Sequence, residues 1–347
     1  MYIKKILLAI LVIGLIVAAF FANFVYNAML KPNTAFNNEE AYVYIPTNAS
    51  YEDVRNQLQP LLDDIDSFDD LAEQKKYNTN IKAGRYAIKK GMTNNDIINS
   101  IRSKNLPIKV SFNNQSSLEK LAGRIARDIE ADSLSILNAM QDTAFLSKNK
   151  FNEATALGMY LPNSYEFFWN TSAENFRDRM LKEYKRFWND DRIKKSETIG
   201  LSPNQVIALA SIVYEESKEA TEQPTIAGVY MNRLRIGMPL QADPTLKFAA
   251  YKLPEYENTV IKRVLNIHKE IESPYNTYKN RGLPPGLIAM PDISAIDAVL
   301  NYENHKYLYF AADAKRFGFH KFAKNLGQHN VNAREYQSYL SSQGINR

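Results

Sequence analysis

The strongest constraint on this chain lies at its start. Lys4 and Lys5 precede an uncharged, mostly apolar run, "ILLAILVIGLIVAAFFANF", from Ile6 to Phe24. About 20 such residues cross a bilayer core as a helix, whereas the apolar part of a cleavable signal peptide is usually about 7–15 residues. The run therefore reads as an uncleaved transmembrane signal anchor over 6–26. Ala18, Ala19 and Ala22 keep a cleaved signal peptide as the alternative. The lysines precede the span and few basic residues follow it closely. The positive-inside rule then makes 1–5 a cytoplasmic tail and exports everything beyond about Lys31.

Taken whole, the chain has the composition of globular protein. Its 347 residues are 45% hydrophobic and 23% charged, enough for two or three modest domains. Its net charge of +5 suits an anionic polymer or a membrane surface, but no arginine-rich stripe accompanies it, so a nucleic acid partner is not expected. There is no cysteine, which removes disulfides, thiol nucleophiles and Cys-ligated zinc. The four histidines, His268, His305, His320 and His329, form no HExxH pair, and no glycine-rich phosphate loop is present, so neither a metal nor another cofactor is expected.

The expected architecture is α+β. Residues 27–40 read as a polar linker. Over 41–105 the pattern is strand ("YVYIP"), two helices near Tyr51–Leu62 and Phe68–Lys76, a strand, a turn at Gly91 and a helix. Thr93 and Asp96 are spaced as a capping box for that last helix. The remainder, 106–347, forms a larger α+β domain. It opens with a strand at "IKVSFNN" and an amphipathic helix over "LEKLAGRIARDIE", then "MYLPNSYEFFW" as loop or short strand and a helix over "SAENFRDRMLKEYKRFWND". From 238 to 291 the chain is rich in Pro, Gly, Asn and Tyr, which suggests a long functional loop. A helix near Ile293–Tyr302, strands at "KYLYFAA" and "FGFHKFA", and a helix near Ala333–Leu340 end the pattern.

One helix raises a chemical question. Ser202, Pro203 and Gln205 mark a clear start, and the apolar run then meets Glu215, Glu216 and Glu219. On a straight helix Val206, Leu209, Val213, Glu216 and Ala220 share one stripe, so Glu216 is the acid at a core position. Desolvation there raises a carboxyl's pKa, as a general acid requires. The plain alternative is a Glu216 paired with a Lys or Arg at the rim. Asp243, in "LQADPT", is either a second acid or an ordinary Asp-Pro turn.

Four separated motifs, "ASIVYEES", "AGVYMNRLRIGMPLQADPT", "SPYNTYKNRGLPPGLI" and "YLYFAADAKRFGFHKFAKNLGQHN", together resemble the endolytic murein transglycosylases, the MltG (YceG-like) family. "IKAGRYAIKKGMTNNDIINSI" resembles the LysM-like module of that family, which would occupy 41–105, with the transglycosylase catalytic domain at 106–347. The resemblance implies a single-pass protein of the bacterial cytoplasmic (inner) membrane with its catalytic domain outside. It would cleave MurNAc-GlcNAc bonds inside peptidoglycan strands, leave 1,6-anhydro-MurNAc ends and terminate nascent strand elongation, with peptidoglycan synthases as partners. The family's acidic motif commonly reads Ser-Ile-Val-Glu-Lys-Glu. Here Tyr214 replaces the first acid, and Glu216 matches the second and is expected to be catalytic. Asn232, Gln241, Asp243, Tyr275, Asn276, Tyr278 and Asn325 are of types suited to binding sugars. Lytic transglycosylation needs one carboxyl, and no second one beside Glu216 is evident in the sequence. A muramidase that uses Asp243, or an inactive peptidoglycan-binding scaffold given Tyr214, are the competing readings.

The charge asymmetry about the apolar run sets the first test. A reporter fused after residue 40 should be active only if it functions outside the cytoplasm. Robust activity of a cytoplasm-only reporter there would reverse the topology.

Overall fold

The computed structural model of the chain describes residues 2–256, 259–261 and 263–343. The outer ends of the expected tail and catalytic domain, Met1 and 344–347, lie outside the described residues. By internal contacts the chain divides into two units, one of 1–110 with 126–131 and 165–172, the other of 111–125, 132–164 and 173–347.

The first unit begins with helix α1 (Tyr2–Val25), none of whose residues is buried. At 1.5 Å per residue its 24 residues extend about 36 Å, enough for a bilayer core. A π-helical turn, Tyr26–Leu30, continues it. Strand β1 (Glu40–Ile45) pairs antiparallel with β2 (Gly84–Lys89), from Glu40 opposite Lys89 to Ile45 opposite Gly84. Helices α2 (Tyr51–Leu58), α3 (Ile65–Gln74) and α4 (Asn94–Ser103) complete the unit. Capping boxes start α2 (Ser50 with Asp53) and α4 (Thr93 with Asp96), satisfying N–H groups that the helix geometry leaves without partners. The core collects Val43, Ile45, Leu58, Phe68, Tyr86, Ile88 and Ile98, and Ala28 of the π-turn joins it. The segment expected as a linker is tied down. The Asn33 and Ala35 N–H groups donate to the Met92 and Leu61 carbonyls, and buried Asn33 bonds Asn94.

Strands β3 (Pro107–Phe112) and β4 (Asn163–Phe168) form a second two-stranded sheet. In the second unit α5 (Leu118–Ile125) stops earlier than its sequence pattern suggested. Helices α6 (Ser133–Met140) and α7 (Thr143–Lys148) come next, then α8 (Ala173–Phe187) and α9 (Asp190–Thr198).

Helix α10 (Pro203–Glu216) is the centre of the second unit. Ser202 and Gln205 form its capping box, with Pro203 in the first turn. Every residue from Val206 to Val213 is buried, so the helix is apolar all round rather than striped. It packs on α11 (Gln223–Arg235), α12 (Asp243–Ala250) and α14 (Ile293–Leu300). It also ends sooner than the straight helix expected through Ala220. Ser217 is extended, with its N–H on the Val213 carbonyl, and Glu219 lies beyond the helix. The Pro- and Gly-rich stretch is not all loop, since it contains α12 and the short α13 (Asn266–Lys269). Strands β5 (Tyr309–Ala312) and β6 (His320–Ala323) pair antiparallel, and α15 (Leu326–Ser342) packs on both, starting seven residues before the expected Ala333.

The loop from 273 to 290 lies tightly against its neighbours. The Ile288 N–H donates to Ser211 Oγ on α10 at 3.0 Å. A Cβ on Gly286 would fall 1.9 Å from the Ala154 carbonyl oxygen, so only glycine fits there without displacement. Gly286→Ala should therefore cost about 1–3 kcal/mol in denaturant unfolding, the range for overpacking. Gly123→Ala, inside α5 with nothing within 4 Å of the added carbon, should be neutral or stabilise by up to about 1 kcal/mol. Equal effects at the two positions would contradict this account of the loop.

Candidate active site

The ends of two helices meet at one cavity. Glu216 is the last residue of α10 and Asp243 the first of α12. Both line a cavity of about 330 Å³ with Tyr230, Arg233, Gln241, Tyr278, Tyr309, Phe310, Leu326 and His329.

Each wall has a local cause. On α11, Asn232 and Arg233 fasten the helix to the chain entering β5. Asn232 Nδ2 donates to the His305 and Tyr307 carbonyls at 2.8 and 3.0 Å, and Arg233 Nε to the Leu308 carbonyl at 2.7 Å. Arg233 Nη1 also donates to the Leu240 carbonyl. Gly228 permits this approach, since a Cβ there would be 2.4 Å from the Glu303 carbonyl oxygen. The start of α12 is held by Thr277. Its carbonyl accepts from the Gln241 N–H, and its hydroxyl from the Ala242 N–H. Gln241 takes a left-handed backbone, φ +49°, rare for a residue with a Cβ and often found at functional sites. Fully buried Asn276 braces the next loop. Its amide donates to the Lys269 and Ile271 carbonyls, and its oxygen accepts the Tyr278 N–H. The outcome is a pair of donor–carboxyl contacts, with Tyr230 Oη to Glu216 Oε1 and Tyr278 Oη to Asp243 Oδ1 both at 2.6 Å.

The electrostatics favour a protonated Glu216. Burial is the main cause and pushes its pKa up to about 7. The Tyr230 hydrogen bond opposes this, Asp243 adds to it, and His320 and Arg233 oppose it more weakly. Position acts in the same direction, because the C-terminal end of a helix is electronegative and the N-terminal end electropositive. Glu216 sits at the first kind of end and Asp243 at the second. Burial raises the Tyr230 and Tyr278 phenols far above their ordinary value, so both remain donors. Burial lowers Arg233, and burial followed by the Arg233 charge lowers His329.

Of the residues expected at a sugar-binding site, Gln241, Asp243 and Tyr278 share the cavity with Glu216. Asn232 and Asn276 are instead buried braces behind its walls. Tyr275 packs on Phe248, ring centroids 4.6 Å apart, beside a different cavity of about 530 Å³. Asn325 caps α15 by accepting the Gln328 N–H. Asp243, named from the sequence as a possible second acid, is brought to the cavity of Glu216 by the Thr277 clasp. Glu215 is exposed and paired with Lys218 at 2.8 Å. Tyr214 turns to Asn114 Oδ1 at 2.8 Å, with Lys218 Nζ over its ring, and is not among the cavity's lining. Tyr230, Arg233, Tyr309 and His329 were missed. The first two stand three apart within one of the quoted motifs, and that helical spacing was a signal available in the sequence.

A model of the YceG-like family matches residues 43–335. The chain is 29% identical over 336 residues to the endolytic murein transglycosylase of Bacillus subtilis (strain 168), covering 91% of this chain and 89% of that protein. It is 27% identical to the endolytic murein transglycosylase of Streptococcus pneumoniae serotype 2 (strain D39 / NCTC 7466), covering 88% of this chain but 60% of that longer protein. A crystal structure of a YceG-like protein from Listeria monocytogenes aligns at TM-score 0.56 and 27% identity, over 85% of this chain and 99% of that one.

A desolvated carboxyl should leave a stability signature. The folded pKa of Glu216, about 7, exceeds its ordinary 4.5, so the folded state holds this proton more tightly than the unfolded state. Its penalty is absent below the unfolded value, grows as pH rises to about 7, and is constant above. Glu216→Gln should thus be more stable than the parent at pH 8, by up to about 3 kcal/mol, and equal to it at pH 4. Equal stability at pH 8, measured by denaturant unfolding, would mean that the carboxylate is well solvated.

Proposed function

The chain belongs to the YceG-like family, and on that premise we propose that it is an endolytic lytic transglycosylase of peptidoglycan. It cuts inside glycan strands between N-acetylmuramic acid and N-acetylglucosamine and leaves 1,6-anhydro-N-acetylmuramic acid ends. The names of the two relatives support the substrate and the reaction. The observation that carries the chemistry is Glu216, an acid whose pKa is pushed up to about 7, in the wall of a cavity of about 330 Å³.

Glu216 starts protonated and gives its proton to the glycosidic oxygen as the C1–O bond breaks. The C6 hydroxyl of the same muramyl residue attacks C1, and its proton passes to the Glu216 carboxylate. The acid is regenerated and no water is consumed. Tyr230 stays in place as a donor to the carboxylate formed between the two transfers. The nucleophile is part of the substrate, which gives it a high effective concentration.

Asp243 supports a second reading. A muramidase activates water with a second carboxyl, and Asp243 is in the same cavity. The Tyr278 hydroxyl already occupies one of its oxygens, which favours a role in holding the site. An inactive scaffold is disfavoured, because the departure at Tyr214 is directed to Asn114 and leaves Glu216 and its donor intact. The long apolar helix supports membrane anchoring. In this proposal it spans the cytoplasmic membrane once, the catalytic unit is outside, and peptidoglycan synthases are lateral partners that supply nascent strands.

Glu216→Gln should abolish cleavage of purified glycan strands, whereas Glu215→Gln should retain most of it. The wild-type rate should decline above about pH 7 as Glu216 loses its proton. Digestion in heavy-oxygen water decides the nucleophile. Unlabelled anhydro ends are expected, and label at the new reducing ends would transfer the assignment to a muramidase.

A further inference from the structure

We infer that His329 orients the attacking hydroxyl, donating from Nε2 to the C6 oxygen of the muramyl residue and holding it against C1. The inference rests on the transglycosylase reading above. His329 lies just inside α15, near the Asn325 cap, and lines the cavity that holds Glu216. Its ring stacks on Tyr309, centroids 5.3 Å apart and planes 27° apart, and Arg233 covers the same tyrosine at 5.3 Å. The stack sets the plane of the imidazole, and the enclosure of Nδ1 sets which edge faces the cavity.

Its hydrogen bonding fixes the tautomer. Nδ1 is buried and makes no hydrogen bond among the described residues. A buried N–H without an acceptor is the rarer and costlier state, so the proton belongs on Nε2 and Nδ1 keeps its lone pair. An imidazolium would carry an unsatisfied N–H at Nδ1, so the ring stays neutral. Burial and the nearby Arg233 charge act in the same sense. With Nδ1 enclosed, Nε2–H is the donor the ring can offer to the cavity.

Several of the cavity's other donors are already engaged, and of the rest Arg233 Nη2 is charged and Tyr309 Oη belongs to the ring on which His329 stacks. The Tyr230 and Tyr278 hydroxyls are on carboxyl groups, and Arg233 spends Nε and Nη1 on two backbone carbonyls. Gln241 is exposed at the rim. The reaction has a use for a neutral donor of this kind. The C6 hydroxymethyl group rotates about C5–C6, and only part of that rotation brings O6 toward C1. The intramolecular advantage requires that the rotation be stopped. A donor on O6 leaves its own hydrogen free to point at Glu216. During the step the O6–C1 bond forms and the glycosidic C1–O bond breaks. The leaving oxygen keeps the proton from Glu216, and the O6 proton goes to the Glu216 carboxylate. His329 neither gains nor loses a proton.

The test compares His329→Ala and His329→Gln in the full chain with the wild type, on purified glycan strands in heavy-oxygen water, with mass analysis of the ends. The alanine variant should be slower by roughly 3- to 10-fold, the loss of one hydrogen bond. Part of its product should carry label, because water competes once O6 is free to rotate. The glutamine variant, whose amide nitrogen can take the place of Nε2, should recover rate and restore unlabelled anhydro ends. A slower alanine variant with wholly unlabelled ends, or a glutamine variant no better than alanine, would overturn the inference and leave His329 a packing residue. Labelled ends from the wild type itself would instead defeat the transglycosylase reading.

Discussion

A helix with no polar face has to be enclosed, and α10 imposes that requirement on its whole unit. Eight successive residues, Val206 to Val213, are buried. Helices α11, α12 and α14 and the chain around Ile288 provide the cover. Enclosure delivers the site as a by-product. The helix can stop only where it meets solvent or a polar partner, and it stops at Glu216, against Tyr230 of the helix beside it. The acid is thus positioned by the same packing that makes it hard to ionise. The rest of the cavity is added from the covering elements, each tied by buried hydrogen bonds rather than by its own rigidity.

The balance of charge in the cavity is fine. Burial and Asp243 favour a neutral Glu216, while Tyr230, His320 and Arg233 favour its anion. A cavity without the second group would hold the proton too tightly to release it, and one without burial would release it too early. His320 is itself fixed from behind by buried Glu222, which accepts from both its backbone N–H and its Nδ1. One of the groups acting on Glu216 thus lies on β6 and is held in place from the loop before α11.

Local signals were legible in the sequence. The capping boxes at Thr93–Asp96 and Ser202–Gln205 depend on residues three apart, and both are formed. The N-terminal helix was legible because nothing interrupts its apolar run. The helical phase pointed to Glu216 for an incomplete reason. The burial it assumed for one face extends all round α10 from Val206 to Val213, and the stripe ends before Ala220. Asp243 beside Glu216 depends on Thr277 more than thirty residues away, and no spacing within a single helix encodes that clasp. Asn232 and Asn276 had the right chemistry for sugars, but backbone carbonyls from distant loops claimed their amides. Residue type records what a side chain can bond; only tertiary structure decides which partner arrives.

The π-helical turn at Tyr26–Leu30 gives the apolar helix an unusual kind of joint. A membrane helix on a slack tether tells its cargo nothing about the bilayer. Here Ala28 is in the small module's core, Phe24 and Met29 pack against it, and the turn contacts α3 and α4. Asn33 and Ala35 then fasten the next stretch to the same body. Helix and module are joined by packed side chains and not by a free tether, so a tilt of the helix would be felt by the module. Bilayer thickness, which sets such tilts, would become a mechanical input to this module.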